Sequence, residues 1–290
     1  MRVEARHPKN WLSQYVDHVW RCTGFAEEDP DIRGWLLPEP GFNLVFNLGA
    51  IHRVWTGPTP EEHRTSWVAG ERTRPVAIAI DGPTAYVGVR FHAGAAAAFL
   101  GAGAAELTDR TFDLDLLWGE FAEVTRQRLY EAPDMDAVSR VMFDSLEQRF
   151  DNHCAPPATL GAMLAALRRA APGASIRDEA ADLGVSHSTL LRQFDHWVGT
   201  RPKMMHRLLR FERVLLAESC ASRPRWSDIA LDTGYYDQAH LVHDFRAFAR
   251  MSPAAYRNAL CPLPASVLVD TENVARTAQR FKRGAVLAPS

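Results

Sequence analysis

Between residues 35 and 91, short apolar runs alternate with turn residues. Residues 35–37 stop at Pro38-Glu39-Pro40-Gly41, residues 43–48 at Gly49, and residues 52–55 at Gly57-Pro58. Residues 66–69 stop at Gly70, residues 76–80 at Asp81-Gly82-Pro83, and residues 85–91 near Gly94. Strands at this spacing predict an antiparallel sheet folded into a barrel or sandwich. Ahead of them, residues 10–20 have helical spacing, with Leu12, Tyr15, Val16 and Val19 on one face. Behind them the period changes to helical. Residues 95–100 read as a short helix, and residues 114–130 and 136–150 as longer ones. In the last, Val138, Val141, Met142, Ser145, Leu146 and Phe150 share a face. Such a pair of helices either covers one side of the sheet or forms a seam between two protomers.

Residues 151–157 contain Pro156-Pro157 and read as a linker. Beyond it the pattern is helical throughout. Residues 158–170 turn Leu160, Met163, Leu164 and Leu167 inward, and Pro172-Gly173 ends that helix. One motif then occurs twice, about 50 residues apart. The first copy is Ala180-Ala181-Asp182-Leu183-Gly184-Val185-Ser186, followed by Leu190-Leu191-Arg192-Gln193-Phe194. The second is Ile229-Ala230-Leu231-Asp232-Thr233-Gly234-Tyr235, followed by Leu241-Val242-His243-Asp244-Phe245. In each, a small alanine lets two helices cross closely, and a glycine four residues on permits the positive φ of a sharp turn. Ser186 and Asp237 are placed to cap the helices that follow. The second turn is one residue longer than the first. Between the copies, Pro202 sits at a helix start, where its missing N–H costs nothing. The helix 203–218 would be about 24 Å long, a strut between two helix-turn-helix units.

The formal net charge of −2 conceals an asymmetry. Residues 1–154 hold 15 Lys/Arg against 23 Asp/Glu, a net −8, and residues 155–290 hold 18 against 12, a net +6. An acidic half joined to a basic half fits a sensing unit tethered to a polyanion-binding one. Apolar residues at 47% and charged residues at 23% are ordinary for globular chains. Cys22, Cys154, Cys220 and Cys261 show no C-x-x-C spacing, so the sequence indicates neither a zinc ribbon nor a disulfide framework. No apolar run approaches the roughly 20 residues of a membrane span, and residues 1–8 lack a signal-peptide core. The expected setting is cytoplasmic, without a membrane partner.

The outward faces of the two second helices carry chemistry suited to base edges. Ser188, Leu191 and Arg192 face outward in the first unit, and Gln238, Ala239 and His243 in the second. Arginine pairs with guanine O6 and N7, and glutamine with adenine N6 and N7. Arg201, Lys203, Arg207, Arg225, Arg246 and Arg250 are the candidates for phosphate contact, which positions without specifying. The tail 262–290 reads as a solvated extension, or as a further phosphate-contacting arm through Arg276, Arg280, Lys282 and Arg283.

On these residues the C-terminal segment resembles the AraC/XylS family of transcription regulators. The resemblance rests on residues 228–246, on the closing Ser252-Pro253-Ala254-Ala255-Tyr256-Arg257, and on the junction Gly199-Thr200-Arg201-Pro202. It covers roughly residues 158–260. It implies two recognition helices in successive major grooves of double-stranded DNA, held apart by a connecting helix. Leu191 and Ala239 are apolar where family members often place polar readers, which suits thymine methyls. Residues 1–154 more weakly resemble an uncharacterised domain that precedes this module. The matching pieces are Val16-Asp17-His18-Val19-Trp20, Leu37-Pro38 through Gly49, and Gly88-Val89-Arg90-Phe91-His92-Ala93-Gly94, with Glu39-Pro40-Gly41 where an aspartate and glycine are usual.

The sequence thus predicts an α+β chain. A β-rich barrel or sandwich with packed helices (1–154) precedes an all-α double helix-turn-helix domain (155–261) and a tail (262–290). The expected role is a DNA-binding regulator, not an enzyme, with no cofactor or resident metal. Candidate partners are DNA, a small-molecule effector, RNA polymerase and a second copy of the chain. Trp35, Phe46, Trp55, Trp67, Tyr86 and Phe91 are candidates to line an effector pocket, and equally to fill the core. The alternatives are a first domain that only dimerises, or an enzyme-like barrel holding a metal through His52, His63 and His92.

Overall fold

The computed structural model describes residues 2–24, 31–169, 175–218, 224–259 and 267–269. The strands are β1 (Arg2–Arg6), β2 (Val16–Thr23), β3 (Asp31–Leu36), β4 (Asn43–Asn47), β5 (His52–Trp55) and β6 (Glu61–His63). They continue with β7 (Ser66–Ala69), β8 (Val76–Asp81), β9 (Ala85–Phe91), β10 (Thr111–Asp113) and β11 (Val267–Val269). Two antiparallel sheets result, ordered β1-β2-β9-β4-β7-β10 and β11-β3-β8-β5-β6. Alternation along the central strands divides the first sheet into two faces. Leu44, Phe46, Val68, Val87, Val89 and Phe91 bury against helices. Val45, Trp67 and Tyr86 turn toward the second sheet, where His52 stacks on Trp67 with ring centroids 5.1 Å apart.

Residues 10–20 are not a helix. A 3-10 turn, Trp11–Gln14, is capped by Asn10, whose side chain accepts from the Leu12 N–H, and the chain then enters β2. A bulge between Val16 and His18 explains the misleading spacing. The extra residue, Asp17, places Val16 and Val19 on the same buried face three positions apart, which imitates a helical period. The charged β1 pairs with β2 at the sheet edge.

The helices over the first sheet are α1 (Ala97–Leu100), α2 (Ala104–Leu107), α3 (Asp115–Trp118), α4 (Glu120–Glu131) and α5 (Met135–Arg149). Gly119, at φ +57°, breaks the single helix expected over 114–130 into α3 and α4. Val138, Met142, Ser145 and Leu146 are buried, and the three apolar ones join the core beneath the sheet. The face considered as a protomer seam therefore covers the sheet instead.

The C-terminal helices are α6 (Ala158–Arg169), α7 (Ile176–Asp182), α8 (His187–Gln193), α9 (Pro202–Glu218), α10 (Trp226–Asp232), α11 (Gln238–Ala249) and α12 (Pro253–Ala259). Residues 172–173, Cys220, Cys261 and most of the tail lie outside the described residues. Within the tail, β11 pairs with β3, so that short piece extends the second sheet rather than standing free.

The two halves share their cores. Leu37 joins Leu208, Phe211, Phe245 and Tyr256 of the second helix-turn-helix, with Trp35 packed alongside. Ala93 joins Leu160, Leu190, Phe194 and Val198 of the first. Arg90 on β9 pairs with Glu39 and, at 2.9 Å, with Glu212 on α9, and Glu212 also meets Arg168 of α6. Gly41, at φ +103°, could carry no side chain, because a Cβ there would lie 2.3 Å from the Phe91 carbonyl oxygen.

The Glu71 carboxyl is fully buried at this joint. It accepts hydrogen bonds from Thr200 Oγ1 at 2.9 Å and from the Gly41 N–H at 3.3 Å. Burial pushes its pKa up to about 8; Asp109 adds to the rise, while the two hydrogen bonds and Arg90 oppose it. The native state therefore keeps a proton that the unfolded chain loses near 4.5. The associated stability is fully present below about pH 4.5 and is lost as pH rises through about 8. Denaturant unfolding of wild type and Glu71→Gln between pH 5 and 8 should show the wild type losing up to about 1.4 kcal/mol per pH unit relative to the variant. Parallel pH profiles would contradict this.

Candidate nucleic-acid interface

Both helix-turn-helix units are built as the repeated motif requires. Gly184 and Gly234 take φ of +68° and +88° at the turns between α7 and α8 and between α10 and α11. Ala180 and Ala230 are buried at the helix crossings. Ser186 Oγ accepts from the Thr189 N–H at 3.2 Å, and Asp237 Oδ1 accepts from the His240 N–H at 2.7 Å. Each cap satisfies a backbone donor that the first helical turn leaves free. Leu190 with Phe194, and Leu241 with Phe245, anchor the helices inward.

The opposite faces are open. Ser188, Leu191 and Arg192 are exposed on α8, and Gln238, Ala239 and His243 on α11. On α11 a surface groove is lined by Gln238, Ala239, Val242, His243, Arg246 and Ala247. The spacing of 239, 242, 243 and 246 is one helical stripe. Arg246 therefore shares the face of the base-reading candidates, and Val242 and Ala247 belong to it although sequence reasoning did not name them. The i, i+3, i+4 step from Ala239 was the available signal. After Gln193, residues Phe194–Val198 wind as a π-turn that ends at Gly199, with φ +81°. Nothing in the residue types marked that irregularity.

Arg201, Lys203, Arg225, Arg246 and Arg250 are exposed and make no ion pair among the described residues. Arg207 departs from its expected role. It donates to the buried Asp244 carboxylate at 2.8 Å and lies over the Phe248 ring at 4.9 Å. Arg210 reaches the other oxygen of Asp244 at 3.3 Å and covers Tyr235. Together they fasten α11 to α9, so Arg207 is a structural group here.

The six aromatic residues considered for an effector pocket do not line one cavity. Phe46 and Phe91 sit in the core under the helices. Trp35 packs with the second helix-turn-helix, and Trp55 is half-buried on β5. Trp67 and Tyr86 lie between the sheets with His52, which Tyr86 meets by a 3.1 Å hydrogen bond. His52 and His63 oppose each other across β5 and β6, their rings 6.4 Å apart. Burial, with His63 and Arg72 nearby, lowers the His52 pKa to about 3, so this imidazole is neutral. His92 is not part of that pair; it lies beyond β9, with Nε2 3.3 Å from the Ser13 carbonyl oxygen.

Residues 180–259 match a family described as a helix-turn-helix domain, and residues 4–113 one described as a domain of unknown function (DUF6597). The AraC/XylS-type helix-turn-helix read from the sequence is borne out over the former segment. No curated protein matches the chain. Among solved structures it is similar to ToxT from Vibrio cholerae O395, at 10% identity over 84% of this chain and 97% of that one, with a TM-score of 0.48. A fatty acid-bound ToxT from strain SCE256 gives 8% identity over 84% and 95%, with a TM-score of 0.48. The AraC-like transcriptional activator CuxR gives 12% identity over 75% and 87%, with a TM-score of 0.26.

Proposed function

We propose that this chain, whose residues 180–259 are a helix-turn-helix domain, is a cytoplasmic transcription regulator, not an enzyme. It places α8 and α11 in successive major grooves of double-stranded DNA. The observation that carries this reading is the double construction. Two capped, glycine-turned units each bury one helical face and expose the other, and they share the strut α9. Arg192 and Gln238 read bases, and Arg201, Lys203, Arg225, Arg246 and Arg250 hold phosphates. RNA polymerase and a second copy of the chain are the further partners of this reading. Among the described residues no helix is long and apolar enough to cross a membrane.

The first domain senses a small molecule between its sheets. Arg72 is buried there and donates to Thr111 Oγ1 at 2.7 Å. Arg72 Nη1 and both ring nitrogens of the buried His63 have no hydrogen-bond partner among the described residues. Polar groups so enclosed call for a polar guest. Quenching of tryptophan fluorescence across a metabolite library, with Arg72→Gln as control, tests this part separately from DNA binding.

The DNA reading is tested by titrating a fragment from upstream of the chain's own gene at several salt concentrations. Engagement of five phosphates predicts a slope of log K against log salt of about −4.5. Binding indifferent to salt would rule the reading out.

A further inference from the structure

The bulge in β2 has a second consequence. Successive residues of a regular strand point to opposite faces, but the extra residue lets Asp17 and His18 face the same way. His18 Nδ1 lies 3.1 Å from Asp17 Oδ2. Because Arg6 pairs with Val19, the next residue, His7, falls opposite His18 across the edge of the sheet. Their rings meet edge-on with centroids 5.7 Å apart. His7 Nδ1 is 2.8 Å from the Asp17 carbonyl oxygen and 3.8 Å from Asp17 Oδ1. One ligand atom from each of the three residues lies within 4.8 Å of the others.

We propose that His7, Asp17 and His18 form a surface site for a divalent first-row transition ion of the zinc type. Two imidazoles and one carboxylate are the donor set such ions take, with a fourth position left to water. Bonds of about 2.0–2.1 Å in a tetrahedral site set the ligand atoms roughly 3.3 Å apart, within reach of small side-chain rotations. The contact of His7 Nδ1 with the Asp17 carbonyl oxygen already holds this ring beside the Asp17 carboxylate. The site borders the joint between the domains, since Asp17 Oδ2 lies 3.8 Å from Arg90 Nε and Arg90 pairs with Glu212 of the strut.

The test uses the full chain without a histidine tag, stripped with chelator and titrated with Zn2+ and with Co2+. One ion should bind per chain, and Co2+ should give the visible absorption of a nitrogen- and oxygen-ligated site. His7 is 70% exposed and lies outside the strand, so His7→Ala keeps the fold; it should weaken binding at least roughly tenfold. The His7→Ala/His18→Ala pair should weaken it about 100-fold and abolish the Co2+ band. The exposed control His153→Ala should bind as wild type does. Absence of stoichiometric binding to wild type overturns the proposal, and so does undiminished binding to His7→Ala.

Discussion

Replacing Asp244 with alanine should destabilise the second helix-turn-helix by about 3–5 kcal/mol. The carboxylate is almost fully buried and receives Arg207 at 2.8 Å and Arg210 at 3.3 Å, both from α9. Removing it leaves two guanidinium groups against a closed core that also contains Phe211, Phe245 and Phe248. Arg210 would keep only a long contact to the Gly234 carbonyl and the face of Tyr235. Because this cluster, together with the apolar core beside it, ties α11 to the strut, the functional loss should follow the structural one. The variant should protect the half-site of the first unit and lose that of the second. Guanidinium unfolding checks the magnitude, and a shift within 0.5 kcal/mol of wild type would show that the cluster does not hold the helix.

Arg192→Ala and Gln238→Ala should each cost about 1–3 kcal/mol of discrimination at one base position, roughly 5- to 150-fold. Both side chains are exposed on helices whose opposite faces are anchored by buried leucine and phenylalanine. Truncation therefore removes a contact without opening the core. The losses should fall at different positions of the operator, one per unit, and affinity for unrelated DNA should change little. Binding to a library of single-base variants reads this directly. If both proteins keep the wild-type preference at every position, α8 and α11 do not read bases through these residues.

The helix-turn-helix units were legible because every one of their constraints is local. The alanine, the positive-φ glycine, the cap and the leucine–phenylalanine pair all fall within about 15 residues and are written twice. Strands β3, β4, β5, β7, β8 and β9 were legible because turn residues bound them. The three-residue strands Glu61–His63 and Thr111–Asp113 are too short to show a period, and Arg2–Arg6 carries charge, as a sheet edge does. Residues 10–20 were misread because a bulge converts a period of two into an apparent three. The fate of Arg207 depends on Asp244, 37 positions away, and Glu71 depends on Thr200 across the domain joint. Exposed-cation logic could not separate Arg207 from Arg246. The aromatic residues grouped as one pocket are divided by strand alternation and by the joint itself, which only tertiary packing reveals.

Hydroxyl-radical footprinting of the full chain on its upstream DNA tests the central claim most directly. Two protected stretches centred about one helical turn, 10–10.5 base pairs, apart on the same side of the duplex are expected. Asp244→Ala should erase only one of them. A single protected stretch, or two on opposite sides of the duplex, would contradict the placement of α8 and α11 in consecutive grooves.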